Sequence, residues 1–175
     1  MEGDFRLSLT GTPGTGKSTL AGLLSTHGMN IITIEKLAEK AGALEEIDTF
    51  DGAHPVDLDI LLQYLNQNWQ LAPTGPELID GHFSHNLPVD AVVVLRCNPD
   101  ILRDRLKHRG YSDSKIESNV EWEMVGGPWG DKPNGRVAEF DATNISPNAL
   151  WMNIEAWLLS GAPNRLPQID WLSSS

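Results

Sequence analysis

Short, continuous runs of apolar residues alternate along this chain with longer segments in which apolar residues recur every three or four positions. The continuous runs predict β-strands at residues 5–9, 31–34, 78–80, 91–95 and 136–140. The three- and four-residue spacing predicts α-helices at residues 17–27, 35–41, 55–69, 99–109, 114–125 and 147–159. Because strands and helices alternate, we expect a three-layer α/β fold whose five-stranded sheet is mainly parallel.

The remaining segments are rich in acidic or turn-forming residues. Residues 43–55 predict an acidic loop, and residues 126–135, with four glycines and two prolines, predict a second loop. The segment from Ser160 onwards has little pattern and predicts an extended or loosely packed tail. A length of 175 residues fits a single domain with a substantial core.

The first strand, a glycine-rich turn and the first helix carry the strongest chemical signal. Gly11, Gly16, Lys17 and Ser18 match G-x-x-x-x-G-K-[ST], the phosphate-binding loop or P-loop. In such a loop backbone amides surround an anion, the lysine contacts the β- and γ-phosphates, and the serine hydroxyl is a ligand for Mg²⁺. A glycine-rich turn with a coincidental Lys-Ser pair is the alternative. The strand before the loop and the helix after it favour nucleotide binding.

An acid and two histidines follow the third predicted strand. Asp80 ends that strand, where P-loop proteins place the acid that holds Mg²⁺, although aspartate at a strand end is also common for turn reasons alone. His82 and His85 come next, and a histidine there could orient a water molecule or relay a proton beside a phosphate. The alternative is a histidine that is hydrogen-bonded locally in a loop, which we favour for His85.

Three of the seven arginines lie close together in the fourth predicted helix. Arg105 and Arg109 are four residues apart, so they share a helix face and could both contact a triphosphate. Arg103 is expected on the surface. The alternative is a solvated helix face on which these arginines are balanced by Asp100 and Asp104.

Composition narrows the class of protein. A net charge of −11 and a pI near 4.7 disfavour broad binding to nucleic-acid backbones and favour a partner with a basic surface. The single cysteine, Cys97, excludes an intramolecular disulfide and predicts a reducing cytosol. No apolar run approaches the ~20 residues that span a bilayer, and the first residues are unlike a targeting segment, so we expect a cytoplasmic protein without a membrane anchor.

Four stretches together resemble one family. GTPGTGKST, Asp80-Gly81-His82, AVVVLRCNP and RLKHRGYS…KIESNVEWE are similar to the small adenylate kinases of archaea and eukaryotic nuclei, which include the coilin-interacting nuclear ATPase. The resemblance covers about residues 5–125. The P-loop alone is generic, whereas its combination with D-x-H and R-L-x-x-R-G-Y is fairly specific.

The resemblance implies a P-loop nucleotide kinase fold and a set of roles. ATP would be bound by Gly14, Gly16, Lys17, Ser18 and Thr19, and Mg²⁺ would be held by Ser18 and Asp80. Arg109 would stand at the start of a short lid near residues 108–118. Residues 34–57 would form an insert that binds a nucleoside monophosphate. The implied activities are transfer of the ATP γ-phosphate to AMP and a side ATPase that uses Asp80 and His82. The implied partner is a basic protein of the small ribosomal subunit, in the cytoplasm or, in a eukaryote, the nucleus.

The chain departs from the family pattern in the insert. Where the family has an arginine in an L-A-R context, this chain has Leu37-Ala38-Glu39, and no arginine occurs between Arg6 and Arg96. Lys36, Lys40 and the histidines remain to meet an AMP phosphate. A lysine does not reproduce the planar fork of an arginine. Two alternatives therefore stay open: an ATP-driven assembly switch with vestigial AMP phosphorylation, and a P-loop kinase for another small acceptor.

Overall fold

The computed structural model describes residues 3–46, 54–129 and 136–173. Its strands are β1 Arg6–Gly11, β2 Asn30–Thr33, β3 Glu77–Asp80, β4 Ala91–Arg96 and β5 Arg136–Asp141. Its α-helices are α1 Lys17–Thr26, α2 Ile34–Ala41, α3 Leu58–Asn68, α4 Pro99–His108, α5 Asp113–Met124 and α6 Pro147–Leu159. Short 3-10 turns lie at Ser84–Asn86 and Gly127–Trp129.

The five strands form one sheet in the order β2-β3-β1-β4-β5, and every neighbouring pair is parallel. This confirms the predicted α/β fold and its parallel sheet. In open sheets of this kind, ligands bind at the carboxyl ends of the strands, where the strand order reverses direction. Here β1 lies between β3 and β4, so the P-loop after β1 and Asp80 at the end of β3 lie at that edge.

Both faces of the sheet are buried, which explains the continuous apolar strands. On one face Leu7 and Leu9 of β1 pack with residues of α1 and α6, including Trp157. On the other face Val92 and Val94 of β4 pack with residues of α2 and α3. A third cluster joins α4 to α5 around buried Cys97. Burial raises the pKa of this thiol to about 11, which fits a small core residue rather than a reactive one.

Some element boundaries differ from the sequence prediction for identifiable reasons. β1 continues through Gly11 because its backbone still pairs with β4 after the apolar run has ended. The third helix begins at Leu58 rather than residue 55, because the Asp57 carboxylate accepts hydrogen bonds from the amides of Asp59 and Ile60 and caps the helix there. Just before that cap, Val56 makes an antiparallel bridge to Leu44.

The tail from Ser160 follows the edge strand β5. The Arg165 amide donates to the Val137 carbonyl at 2.8 Å, and the Val137 amide donates to Asn164 Oδ1 at 2.8 Å. The tail is therefore extended, as predicted, and attached to the sheet rather than loose. Parts of the two predicted loops, residues 47–53 and 130–135, lie outside the described residues. Across the described ranges, no helix has both the length and the apolar character needed to cross a membrane.

Candidate active site

The P-loop links β1 to α1 and folds around its own lysine. The Lys17 ammonium donates to the carbonyl oxygens of Gly11 at 2.7 Å and Thr12 at 3.1 Å. The Thr12 carbonyl also accepts from the backbone amide and the hydroxyl of Thr15. The pKa of Lys17 is lowered to about 8, mainly by burial; Asp80 and Glu123 oppose this shift, whereas the positive charge of Arg109 adds to it. The lysine is thus held at the centre of the loop.

Gly14 brings the loop against α4. Its φ is +93°, and a Cβ at this position would lie 2.8 Å from Leu102 Cδ1 and 3.1 Å from Leu106 Cδ2. A side chain would be strained by the backbone conformation and would also press on α4. The glycine therefore sets both the shape of the loop and its distance from the helix that carries the arginines.

A cleft of about 630 Å³ lies on one side of the P-loop. Gly14, Gly16 and Thr19 contribute to its lining, and Ser18 begins the exposed side of α1 next to them. We call this the donor cleft. An apolar wall on its far side consists of Ile101 of α4, of Ala142, Ile145 and Pro147 after β5, and of Leu150 of α6. The segment after β5 therefore faces this cleft.

The two predicted phosphate-binding arginines both line the donor cleft, but they differ in their contacts. Arg105 donates to the carbonyl oxygens of Thr143 at 2.6 Å, Ala142 at 3.0 Å and Gly14 at 3.4 Å, so it joins the segment after β5 to the P-loop. Arg109 follows α4 and has an exposed side chain. Arg103 lies outside this cleft lining and pairs with Glu117 and Asp100, as expected for a surface residue.

Asp80 stands beside the P-loop lysine. It ends β3 opposite Leu9 of β1, and its side chain is half-buried. Burial raises the pKa of its carboxyl group, and Glu35 raises it further, whereas Lys17 lowers it. An oxygen ligand in this position, close to the loop and facing a cation, has the chemistry that Mg²⁺ prefers.

His82 is placed by a hydroxyl that the sequence analysis missed. Thr10 of β1 donates to the His82 carbonyl at 2.6 Å and lies 3.2 Å from His85 Nδ1, so it fixes both histidines. Within the described residues, His82 Nδ1 is buried and has no hydrogen-bond partner. Burial lowers the pKa of His82, and Lys17 lowers it further, while a hydrogen bond with the Gly11 backbone opposes both effects. His82 is therefore neutral near pH 7 and has a ring nitrogen to offer. His85 is buried, and its contact with Thr10 joins residues 75 positions apart, whereas the sequence analysis favoured a local hydrogen bond.

A second cleft, of about 780 Å³, lies on the other side of the loop. We call it the acceptor cleft. Pro13 and His82 contribute to it, with Phe83, residues 34–35 and 54–56, and one face of α5. That face carries Lys115, Ser118, Asn119 and Trp122, and Tyr111 lies just before the helix. The sequence analysis missed this face, although its three- and four-residue spacing indicates a single side of a helix.

Charges in the acceptor cleft differ from those expected. In the described lining, Lys115 is the one lysine or arginine, the histidines are His54 and His82, and the acid is Glu35. Lys36 and Lys40, which were expected to meet an AMP phosphate, line a different depression with Tyr64 and Trp69. They point away because Leu37 and Ala38 of the same short helix are buried against α3, which fixes the rotation of α2.

Comparison with known proteins identifies relatives of this chain. A model of the AAA domain family matches residues 8–126. A protein named "Putative adenylate kinase" from Pyrococcus abyssi is 36% identical over 168 residues, which are 94% of this chain and 90% of the relative. A protein of the same name from Archaeoglobus fulgidus is 36% identical over 173 residues, covering 95% of this chain and 92% of the relative.

Solved structures share the fold at lower identity. A gluconokinase from Sinorhizobium meliloti 1021 covers 93% of this chain and 95% of its own length, with a TM-score of 0.59 and 17% identity. That likeness shows the fold alone. The long matches at 36% identity show more. The chain therefore belongs to the same family as these archaeal relatives, and it is a P-loop phosphotransferase.

Proposed function

We propose that the protein is an adenylate kinase that transfers the γ-phosphate of ATP to AMP. The observation that carries the proposal is that one P-loop contributes to two clefts, with Gly14–Thr19 facing one and Pro13 facing the other. A kinase for a small acceptor needs two such sites that meet at the transferred phosphate. The relatives named for adenylate kinase support AMP as the acceptor.

On the donor side, the loop amides, Lys17 and Arg109 would hold the phosphates of ATP, and the apolar wall after β5 would receive the base. Ser18 and Asp80 offer oxygen ligands for Mg²⁺, which would neutralise charge on the phosphates as the bond breaks. No group of three or more His, Cys, Asp or Glu side chains within the described residues is arranged to hold a metal ion. Phosphate oxygens and water would therefore supply most of the ligands.

On the acceptor side, Trp122 would offer a stacking surface for the base of a nucleoside monophosphate, and Lys115 would offer a cation for its phosphate. Trp122 is 44% exposed at the cleft, and a Cβ on Gly127 would lie 2.1 Å from its ring, so the ring rests against that backbone. A fixed indole is a stacking surface for a base. Lys115 lies 5.2 Å from the Tyr111 ring centre and would give the acceptor phosphate a cation in place of the missing arginine.

The chemistry needs no strong base. An oxygen of the AMP phosphate is already an anionic nucleophile; it forms a bond to the γ-phosphorus while the bond to the bridging oxygen breaks, and the electron pair stays on the departing ADP. The protein would position the two phosphates, offset their charge with Lys17 and Arg109, and exclude water when residues 108–118 close over the clefts.

A slower ATPase is the second proposed activity, and the unpartnered Nδ1 of His82 favours it. Water, unlike AMP, must be oriented and deprotonated, and a neutral histidine can accept that proton. We expect His82→Ala to reduce ATP hydrolysis more than transfer to AMP. His27→Ala is the matched control, because His27 is exposed and lines neither cleft among the described residues. Equal losses in both activities would contradict this division.

The decisive experiment is a coupled turnover assay with ATP, Mg²⁺ and each of AMP, CMP, GMP, UMP or no acceptor. We expect the highest kcat/KM with AMP, and no turnover above background in Lys17→Ala with any acceptor. Lys115→Ala should raise the KM for AMP by about ten- to a hundredfold, as expected for the loss of one charged hydrogen bond. Lys107→Ala, on the exposed end of α4, is its control. A rate that no acceptor increases would leave an ATP-driven switch as the better reading.

The assembly role implied by the resemblance remains a separate prediction. The net charge of −11 favours a basic partner. The test is binding of a basic small-subunit ribosomal protein with ATP, with ADP and without nucleotide, and affinities that do not depend on nucleotide would contradict a switch.

A further inference from the structure

A buried carboxylate connects the P-loop to the wall of the acceptor cleft. Glu123 lies near the end of α5 and is fully buried. Its Oε1 accepts hydrogen bonds from Arg96 Nε at 2.7 Å, from the Cys97 amide at 3.1 Å and from the Trp171 indole at 3.2 Å. Its Oε2 accepts from the Thr12 hydroxyl. A carboxylate has about four acceptor positions, so four donors satisfy it.

Thr12 is the residue through which this carboxylate acts on the loop. The Thr12 hydroxyl is held by Glu123, and the Thr12 carbonyl accepts from both Lys17 and Thr15. Glu123 therefore anchors the base of the P-loop. It also belongs to α5, the helix whose other face lines the acceptor cleft with Lys115 and Trp122. One side chain thus links the loop that would hold the donor to the helix that would hold the acceptor.

The C-terminal segment completes this anchor. The Ile169 amide donates to Glu139 Oε1 at 2.6 Å, and the Ile169 carbonyl accepts from Arg96. These bonds bring the chain over Arg96, and Trp171 then reaches Glu123. A carboxylate this deeply buried destabilises the fold unless all of its hydrogen-bond donors are present. The loss of one donor should therefore weaken the hydrogen bonds that the other donors make.

We propose that Glu123 is a positioning residue that fixes the P-loop relative to α5, and that the C-terminal segment, through Trp171, holds Glu123 in place. This rests on the proposed function for the identity of the two substrates, but not for the anchor itself. Loss of the anchor leaves each substrate able to bind and disturbs their alignment, so it lowers kcat more than it raises either KM.

Two variants of Thr12 test the contact with the loop. Thr12→Val keeps the volume and removes the hydroxyl, so we expect kcat to fall about tenfold or more, with KM for ATP and AMP changed about threefold or less. Thr12→Ser keeps the hydroxyl and should restore most of the parent kcat. A purely structural role would lower the melting temperature and leave kcat per folded molecule unchanged in both variants, which would overturn the proposal.

A matched pair of tryptophans tests the C-terminal segment. Trp171→Phe removes an indole donor to Glu123, whereas Trp151→Phe changes a half-buried tryptophan of α6 that packs against the core cluster of α1 and α6. We expect a several-fold fall in kcat and faster amide hydrogen exchange at residues 11–16 for Trp171→Phe only.

The exchange measurement keeps the two proposals separable, because it needs no acceptor. If the parent does not phosphorylate AMP, the proposed function fails, while faster exchange in Trp171→Phe and parent-like exchange in Trp151→Phe still support the anchor. Parent-like exchange at residues 11–16 in both variants would overturn the anchor, whatever the substrate.

Discussion

Nucleotide binding to this protein should take up a proton above pH 8, and Lys17 is the reason. In the free loop, burial lowers the pKa of Lys17 to about 8. Phosphate oxygens favour the charged ammonium, so its pKa rises again when ATP binds. At pH 9 a group with this pKa is about 10% protonated, so binding should take up about 0.9 proton, compared with about 0.1 at pH 7. By the same linkage, affinity should fall by up to about tenfold per pH unit above pH 8.

Isothermal titration calorimetry in buffers of different ionisation enthalpy measures this uptake directly. The phosphates of ATP are fully ionised at pH 9 and contribute little. Lys17→Arg is the control, because a guanidinium stays charged at pH 9 and has no proton to gain. An unchanged uptake in Lys17→Arg would assign the proton to another group. Uptake near zero at pH 9 in the parent would show that Lys17 is already charged in the empty loop, which would refute the reasoning.

Three further predictions follow from the two clefts and the loop. Asp80→Asn should reduce every Mg²⁺-dependent turnover, and the defect should lessen at raised Mg²⁺ if the carboxylate holds the ion; a defect independent of Mg²⁺ concentration would contradict that role. Glu35→Gln should lower the KM for AMP because it removes an acid from the acceptor cleft, whereas Glu39→Gln, one helical turn further along, should change it little in the same kinetic assay. Gly14→Ala should weaken ATP binding and lower the melting temperature, while Gly22→Ala, on the exposed side of α1, should stabilise the protein by about 0.5–1 kcal/mol.

The fold could be predicted from the sequence because the apolar pattern of each segment agreed with the strand or helix that the segment forms. The alternation of apolar runs with helical spacing predicted the order of every strand and α-helix, and Pro147–Leu159 has the predicted bounds. The ends of β1 and β4 could not be predicted from the sequence, because polar residues such as Thr10 and Arg96 still pair through their backbones in the sheet. An apolar pattern reports burial of side chains, and it is silent about where backbone pairing stops.

The donor side of the site was equally readable, because a P-loop is a local motif. The acceptor side depends on which face of a helix turns toward the cleft, and the sequence alone did not settle that. The sequence analysis placed the departure from the family pattern at Glu39, yet Glu35 is the acid that lines the cleft, because α2 starts at Ile34 and its first turn lies beside Asp80. The long-range contact between Thr12 and Glu123 joins residues 111 positions apart, a distance at which no local pattern carries information.

The positions of the charged side chains in the acceptor cleft bear on the arginine that is missing from the family pattern. Glu35 lies on the α2 wall of the acceptor cleft, and Lys115, the one lysine or arginine of its described lining, lies on the α5 wall. In this arrangement an acceptor phosphate would bind through the same helix that Glu123 attaches to the P-loop. An arginine introduced at position 39 would point back toward Glu35, since helical side chains lean toward the N-terminus, and would act mainly by neutralising that acid. A gain in AMP kinase efficiency in Glu39→Arg should therefore disappear when Glu35→Gln is already present, whereas an arginine that bound the phosphate directly would improve both backgrounds alike.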